Sequence, residues 1–298
     1  LFENKKAVGV ECKVNGKYKK YFSTKEVLLS AGAINSPQLL MLSGIGPENE
    51  LSKHSIEPVE CLEGVGKNLQ DHLETYVQYK CKKPVTLHSA QNPLKMALIG
   101  AEWFLFKTGV AAHSNLETGG FVKSNEMSDY PNIQFHFFPS LVLDHGRKSS
   151  TCHAFQAHVG PMRPTSRGSV KLKSNNPNDA PSIQFNYMQT EHDLREMREG
   201  IKIAREIFNQ KEFDEYRGDE ISPGNNINND EDLNNFIRDK GDTAYHPSCT
   251  CKMGKDDRSV VDEELKVYGI DGLRVIDASI MPNICLLYTS DAADDLLC

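Results

Sequence analysis

The run Glu26-Val27-Leu28-Leu29-Ser30-Ala31-Gly32, followed closely by Ser36-Pro37, constrains the fold more than any other stretch of the chain. A short unbroken apolar segment that stops at a glycine predicts a strand buried on both faces, the habit of a parallel sheet. Ser36 is suited to a cap and Pro37 to a first helical turn, so a helix is expected to open there, with Leu39, Leu40 and Leu42 facing the sheet. Ser43-Gly44-Ile45-Gly46-Pro47 supplies the stop.

Elsewhere the patterns are of both kinds. Residues 7–14 and 17–22 flank Asn15-Gly16, the dipeptide suited to a two-residue type I′ turn, and predict a β-hairpin. Leu73, Thr75, Val77 and Tyr79 alternate as a strand does, and Asn92–Lys107 reads as a helix with Pro93 at its start. Segments 132–138, 154–159, 168–173 and 182–187 are short alternating runs separated by turn residues, as in an antiparallel sheet. Residues 191–209 give the clearest helix: Thr190 and Asp193 resemble a capping box, and Leu194, Met197, Ile201, Ala204 and Phe208 recur at three and four. An Asn-rich loop and a short helix carrying Leu233, Phe236 and Ile237 follow.

Composition narrows the function classes. With 298 residues, 39% hydrophobic and 25% charged, the chain is neither a stapled peptide nor disordered, and its length suits two domains or one large one. A net charge of -7 lacks the basic surplus that phosphate-backbone binding needs, so nucleic acid is not an expected partner. The longest apolar stretch, Met96–Phe106, is about half of the ~20 residues a spanning helix requires. Eight cysteines without framework spacing suit reduced thiols.

Three motifs carry chemistry. Gly32-Ala33-Ile34-Asn35-Ser36-Pro37-Gln38-Leu39-Leu40-Met41-Leu42-Ser43-Gly44-Ile45-Gly46 is the first, and Gly64-Val65-Gly66-Lys67-Asn68-Leu69-Gln70-Asp71-His72 the second. The third is Tyr245-His246-Pro247-Ser248-Cys249-Thr250-Cys251-Lys252-Met253-Gly254, followed by Leu273-Arg274-Val275-Ile276-Asp277-Ala278-Ser279. A glycine after a buried strand lets backbone approach a phosphate, and a following helix N-terminus favours anionic charge. In order and spacing these segments resemble the glucose-methanol-choline family of flavin oxidoreductases over nearly all of residues 7–284, closest in wording to its choline-oxidising members of animals and bacteria.

The resemblance implies an α/β (α+β) fold: a Rossmann-like FAD-binding domain, partial here, and a substrate domain with an antiparallel sheet flanked by helices. Residues 1–72 would be the C-terminal part of the FAD-binding domain, 73–240 the substrate-binding domain, and 241–284 a return to the FAD domain with the catalytic histidine. FAD is the implied cofactor, with Gly32, Asn68, Asp277 and Ala278 against it. His246 is the implied catalytic residue; an imidazole titrates near about 6.5, so a positioned one takes up the hydroxyl proton as hydride leaves for the flavin. Choline is the implied substrate, and its trimethylammonium calls for aromatic faces and a carboxylate. Glu117 resembles the carboxylate, and Tyr245 is the aromatic wall. Trp103 and Phe135–Phe138 are assigned to the core, and His72 to a structural role. Cys249 and Cys251 lack a second ligand cluster at zinc spacing, so no metal is expected.

By the same resemblance the whole protein passes electrons to a membrane acceptor and works at the mitochondrial inner membrane. Two other readings stay open: a relative acting on sugars or other alcohols, and a non-catalytic remnant that binds quaternary amines. The G-x-G-x-x-G fingerprint, an initiator Met and the family's Gly-Asn-x-Asn-Ala-Pro stretch are not found in the 298 residues, so this product is expected to bind FAD poorly and to be inactive alone. Residues 285–298 read as the in-frame translation of a sequencing-library adapter and are taken as an artefact.

Overall fold

The fold is given by a computed structural model that describes residues 1–284 apart from Glu117, Met127 and His145. In chain order the main elements begin with β1 (Gly9–Val14), β2 (Lys17–Phe22), β3 (Val27–Leu29), α1 (Gly32–Leu42) and β4 (Leu73–Cys81). Next come α2 (Pro93–Phe106), β5 (Thr118–Val122), β6 (Ile133–Phe138), β7 (Ala154–Pro161), β8 (Ser169–Lys171) and β9 (Ser182–Gln184). The last are α3 (Glu191–Phe208), β10 (Arg217–Ser222), α4 (Asp230–Lys240), β11 (Asp242–Thr243) and β12 (Leu273–Val275). They group into two compact units. No helix among the described residues is long and apolar enough to cross a membrane.

The first unit comprises, among the described residues, 1–71, 163–187 and 245–284. The grouping differs from the expected division in placing 163–187 apart from 73–240 and 241–244 apart from the return segment. The reason is hydrogen bonding. The β8–β9 hairpin is tied to this unit by Val170 N–H to the Gly66 carbonyl (2.7 Å), by a bridge between Leu69 and Gly168, and by Leu172 N–H to Glu50 Oε1 (2.9 Å). β1 and β2 form the expected hairpin, with Asn15 (φ 50°) and Gly16 (φ 77°) both left-handed. β3 pairs in parallel with β12, Val27 opposite Leu273 and Leu29 opposite Val275. Only alternate side chains of β3 meet the core, however: Leu28 is exposed, so burial on both faces does not hold among the described residues.

Helix α1 also departs from expectation. It opens at Gly32, and Pro37 lies inside it. An internal proline leaves the carbonyl four residues back without its N–H partner. Here that carbonyl belongs to Ala33, and the buried Thr250 hydroxyl donates to it at 2.6 Å. The early start rotates the buried face to Ala33, Ser36, Pro37, Leu40 and Met41, leaving Leu39 exposed. Leu40 and Met41 join Ile45, Leu51, Val65, Leu172, Val260, Val267, Leu273 and Val275 in one apolar core.

The second unit comprises residues 72–162 and 188–244 and is built on one antiparallel six-stranded sheet in the order β10-β4-β7-β6-β5, with β11 pairing the start of β4. The 168–173 and 182–187 runs, expected in such a sheet, instead pair with each other as β8 and β9. Alternation gives the sheet two chemically distinct faces. Thr75, Val77, Tyr79, Phe135, Phe155 and Val159 are buried on one, where α3 packs with Leu194, Met197, Ile201, Ala204 and Phe208. Phe208 meets the rings of Tyr79, Phe155 and Phe213 edge-on, with centroids 5.1–5.3 Å apart. Thr190 Oγ1 accepts the Asp193 N–H and caps α3, as the sequence predicts, and Asn92 Oδ1 caps α2 by accepting from the Leu94 and Lys95 N–H groups.

Candidate active site

In the first unit, residues 245–253 form the backbone around which the sequence-predicted groups assemble. Ser248 and Gln70 exchange two backbone hydrogen bonds, of 2.9 and 3.2 Å. Further along, Cys249, Cys251 and Met253 donate their N–H groups to the carbonyls of Ala278, Ser279 and Ile280 at 3.1, 2.8 and 2.7 Å. On the other side of the ladder Tyr245 adopts φ 63° and is exposed, Pro247 has no N–H, and the His246 N–H donates to Asp71 Oδ1 at 2.8 Å. His246 itself is half-buried. One left-handed residue and one proline thus take the histidine out of a strand register and present it on a loop.

The expected cofactor residues lie on the same framework. Asp277 Oδ2 accepts from the Gly32 N–H (3.0 Å) and the Ser36 hydroxyl (2.5 Å), and its Oδ1 accepts from the Ser279 N–H (2.8 Å). One carboxylate therefore caps α1 and the short turn after β12 together, and anionic charge at a helix start is favourable. A carboxylate offers about four acceptor sites, so a ligand contact from Asp277 would use what these three donors leave. Gly32 has φ 82°, which strains any other residue, and nothing stands within 4 Å of where its Cβ would be. Asn68, at φ 61°, donates through Nδ2 to the carbonyls of Cys249 (3.3 Å) and Pro282 (3.2 Å), while its Oδ1 accepts from Gln70 Nε2 (3.1 Å). Its side chain is a staple, so contact with a ligand falls to its backbone. Gly32, Asn68, Asp277, Ala278 and His246 are in this way joined through hydrogen bonds of one unit.

Other predicted residues fall elsewhere. Glu117 lies outside the described residues, as does 285–298. Tyr245 neighbours His246 in sequence, with its ring exposed. His72 is buried, with Nε2 2.9 Å from the Met162 carbonyl, as befits a structural histidine. Burial pushes the Cys249 thiol up to about 11 and the Cys251 thiol up to about 12, which disfavours the thiolate at both. Among the described residues no group of three His, Cys, Asp or Glu is placed to hold a metal. Trp103, assigned to the core, is half exposed on α2 and lies under the Lys107 ammonium at 4.0 Å; α2 buries none of its residues. Phe135 and Phe137 do belong to the core with Phe155 and Phe208.

Sequence reasoning missed two features. Asp71 sits within the second motif, and its signal was an acidic residue in a segment otherwise read as a linker. The second is the polar face of the sheet in the other unit. There Glu74 Oε1 lies 2.8 Å from His158 Nδ1, Gln156 Nε2 lies 2.8 Å from His158 Nε2, and Gln156 Oε1 accepts from Val142 N–H and Gln78 Nε2. Tyr76 donates to Asp242 at 3.1 Å, and burial together with the Glu74 and Asp242 carboxylates raises its hydroxyl pKa well above the usual phenol range. Burial lowers the pKa of His136 on the same face.

With this geometry in place, comparison with known proteins assigns the class. The N-terminal GMC oxidoreductase family model matches residues 1–74 and the C-terminal one residues 164–287, and the chain belongs to the GMC oxidoreductase family. Among curated proteins it is 54% identical over 287 residues to human mitochondrial choline dehydrogenase, covering 95% of this chain and 48% of that protein. It is 50% identical over 287 residues to the oxygen-dependent choline dehydrogenase of Acinetobacter baumannii strain AYE, covering 95% and 52%. The chain thus spans about half the length of the curated relatives it matches. Among solved structures it superposes on formate oxidase of Aspergillus oryzae with a TM-score of 0.91 at 26% identity, covering 98% of this chain and 56% of that one. Pyridoxine 4-oxidase of Mesorbium loti gives 0.81 at 28%, covering 95% and 52%.

Proposed function

We propose that the protein to which this chain belongs is an FAD-dependent oxidoreductase that converts choline to betaine aldehyde, with His246 as the acceptor of the hydroxyl proton. The observation that carries this reading is the single hydrogen-bonded framework of the first unit, which links His246 to Ala278, Asp277 and Gly32. The open space at the Gly32 Cβ position, beside the start of α1, suits the close approach of a phosphate to backbone. FAD would be held there by Gly32, Ala278, the Asn68 backbone and the remaining acceptor capacity of Asp277, and when bound it supplies a hydride acceptor.

His246 takes the hydroxyl proton as the carbinol carbon gives up hydride, so positive charge does not accumulate on the oxygen that becomes the aldehyde carbonyl. Tyr245 offers an aromatic face and Glu117 a carboxylate for the trimethylammonium. The high identity to proteins named choline dehydrogenases supports choline over a neutral alcohol. The human and mouse relatives are named mitochondrial, which supports a mitochondrial site for the whole protein; the inner membrane and a membrane electron acceptor belong to this reading through the family resemblance.

The test is anaerobic bleaching of the flavin in the full-length, FAD-loaded protein, with choline and glucose in parallel and Glu117→Gln as a control. Bleaching by choline alone, weakened in Glu117→Gln, is the expected outcome. Bleaching by glucose with none by choline contradicts the substrate while leaving the family intact.

A further inference from the structure

The geometry points to Asp71 as the positioning residue for His246, an inference that rests on the reading of His246 as the proton acceptor. Asp71 is 3% exposed, and a carboxylate removed from water to that extent is costly unless its oxygens are satisfied. Both of its oxygens accept. Oδ1 takes the His246 backbone N–H at 2.8 Å, and Oδ2 takes the Tyr187 hydroxyl. Tyr187 is held in turn by stacking on Phe185, with centroids 4.9 Å apart.

The backbone explains why a side chain is used. The ladder between Gln70 and Ser248 uses main-chain groups on both strands. One residue before Ser248, Pro247 has no N–H to offer, and Tyr245, at φ 63°, leaves the extended conformation altogether. His246 lies between them, with an N–H that the interrupted ladder no longer satisfies. The Asp71 carboxylate replaces the missing carbonyl. Because the bond is made to the main chain of His246, it fixes the root of the imidazole. Tyr187 holds the second oxygen and so fixes the direction from which the first one reaches His246.

Misplacing a reacting group by about 1 Å costs on the order of a hundredfold in rate. The experiment uses the full-length, FAD-loaded protein and reads the anaerobic rate of flavin reduction at saturating choline, together with the concentration for half-saturation. Asp71→Ala should slow reduction by about tenfold to a hundredfold with a much smaller change in half-saturation. Asp71→Asn should restore most of the rate, because its amide oxygen can accept the His246 N–H while its amide N–H faces the Tyr187 oxygen. The double variant Asp71→Ala/His246→Ala should be no slower than His246→Ala, since a group that acts through another adds nothing once that other is gone.

A double variant slowed by the product of the two single effects overturns the proposal, and so does an Asp71→Ala rate equal to wild type while His246→Ala is impaired. If instead His246→Ala is unimpaired, the reading of the histidine fails first and takes this inference with it. Should Asp71→Ala not fold, Tyr187→Phe decides on the same terms: slowing that vanishes in the His246→Ala background supports the role, and slowing that persists there overturns it.

Discussion

The second unit is held together by rings and methyl groups that meet face to edge, whereas the loops that carry His246 in the first are held by side chains acting in place of backbone. Phe208, at the end of α3, meets the rings of Tyr79, Phe137, Phe155 and Phe213. Around His246, a carboxylate completes a strand ladder at Asp71, another caps two helical starts at Asp277, and a hydroxyl fills the place of a proline N–H at Thr250. Apolar packing is non-directional and tolerates adjustment. Directed hydrogen bonds hold one geometry, which is what a hydride and proton transfer needs.

The contrast makes graded predictions. Phe208→Ala should cost the most stability, about 3–5 kcal/mol, because a large ring at the centre of a packed cluster leaves a cavity; chemical denaturation measures it. Thr250→Val should cost less, about 1–3 kcal/mol, since it leaves the buried Ala33 carbonyl without a donor, and Thr250→Ser should recover most of the loss. A larger cost for Thr250→Ser than for Thr250→Val would mean that the methyl packing, rather than the hydroxyl, supports Pro37 within the helix. Phe104→Ser on the exposed face of α2 should change stability by no more than about 0.5 kcal/mol, despite removing a ring as large as Phe208. A large cost at Phe104 would break the contrast by showing that ring size, not surroundings, sets stability.

The same contrast explains what could be read from sequence. The β1–β2 turn was legible because Asn15-Gly16 carries both left-handed angles locally, and α3 because Thr190 and the spacing from Leu194 to Phe208 lie within one window. The start of α1 was misread for a physical reason. Ser36 and Pro37 resemble a cap and a first turn, yet the Ser36 hydroxyl accepts from Ala31 N–H and donates to Asp277, 241 residues away, while Thr250 relieves the proline. Partners at that separation leave no periodicity. Trp103 and Phe104 failed in the opposite sense: apolar character indicates a preference for burial, and α2 buries neither. For the proposed site, the resemblance points to His246, Asn68 and Asp277, whereas Asp71 and Tyr187 become visible only once the fold brings positions 71, 187 and 246 together.

The central claim is that His246, held by this framework, accepts the substrate proton. It is tested most directly by single-turnover flavin reduction with saturating choline in the full-length, FAD-loaded protein and its His246→Ala variant. The account predicts a rate lower by about a hundredfold to ten-thousandfold, with flavin content and thermal unfolding unchanged. An undiminished rate in a fully loaded His246→Ala variant would contradict it.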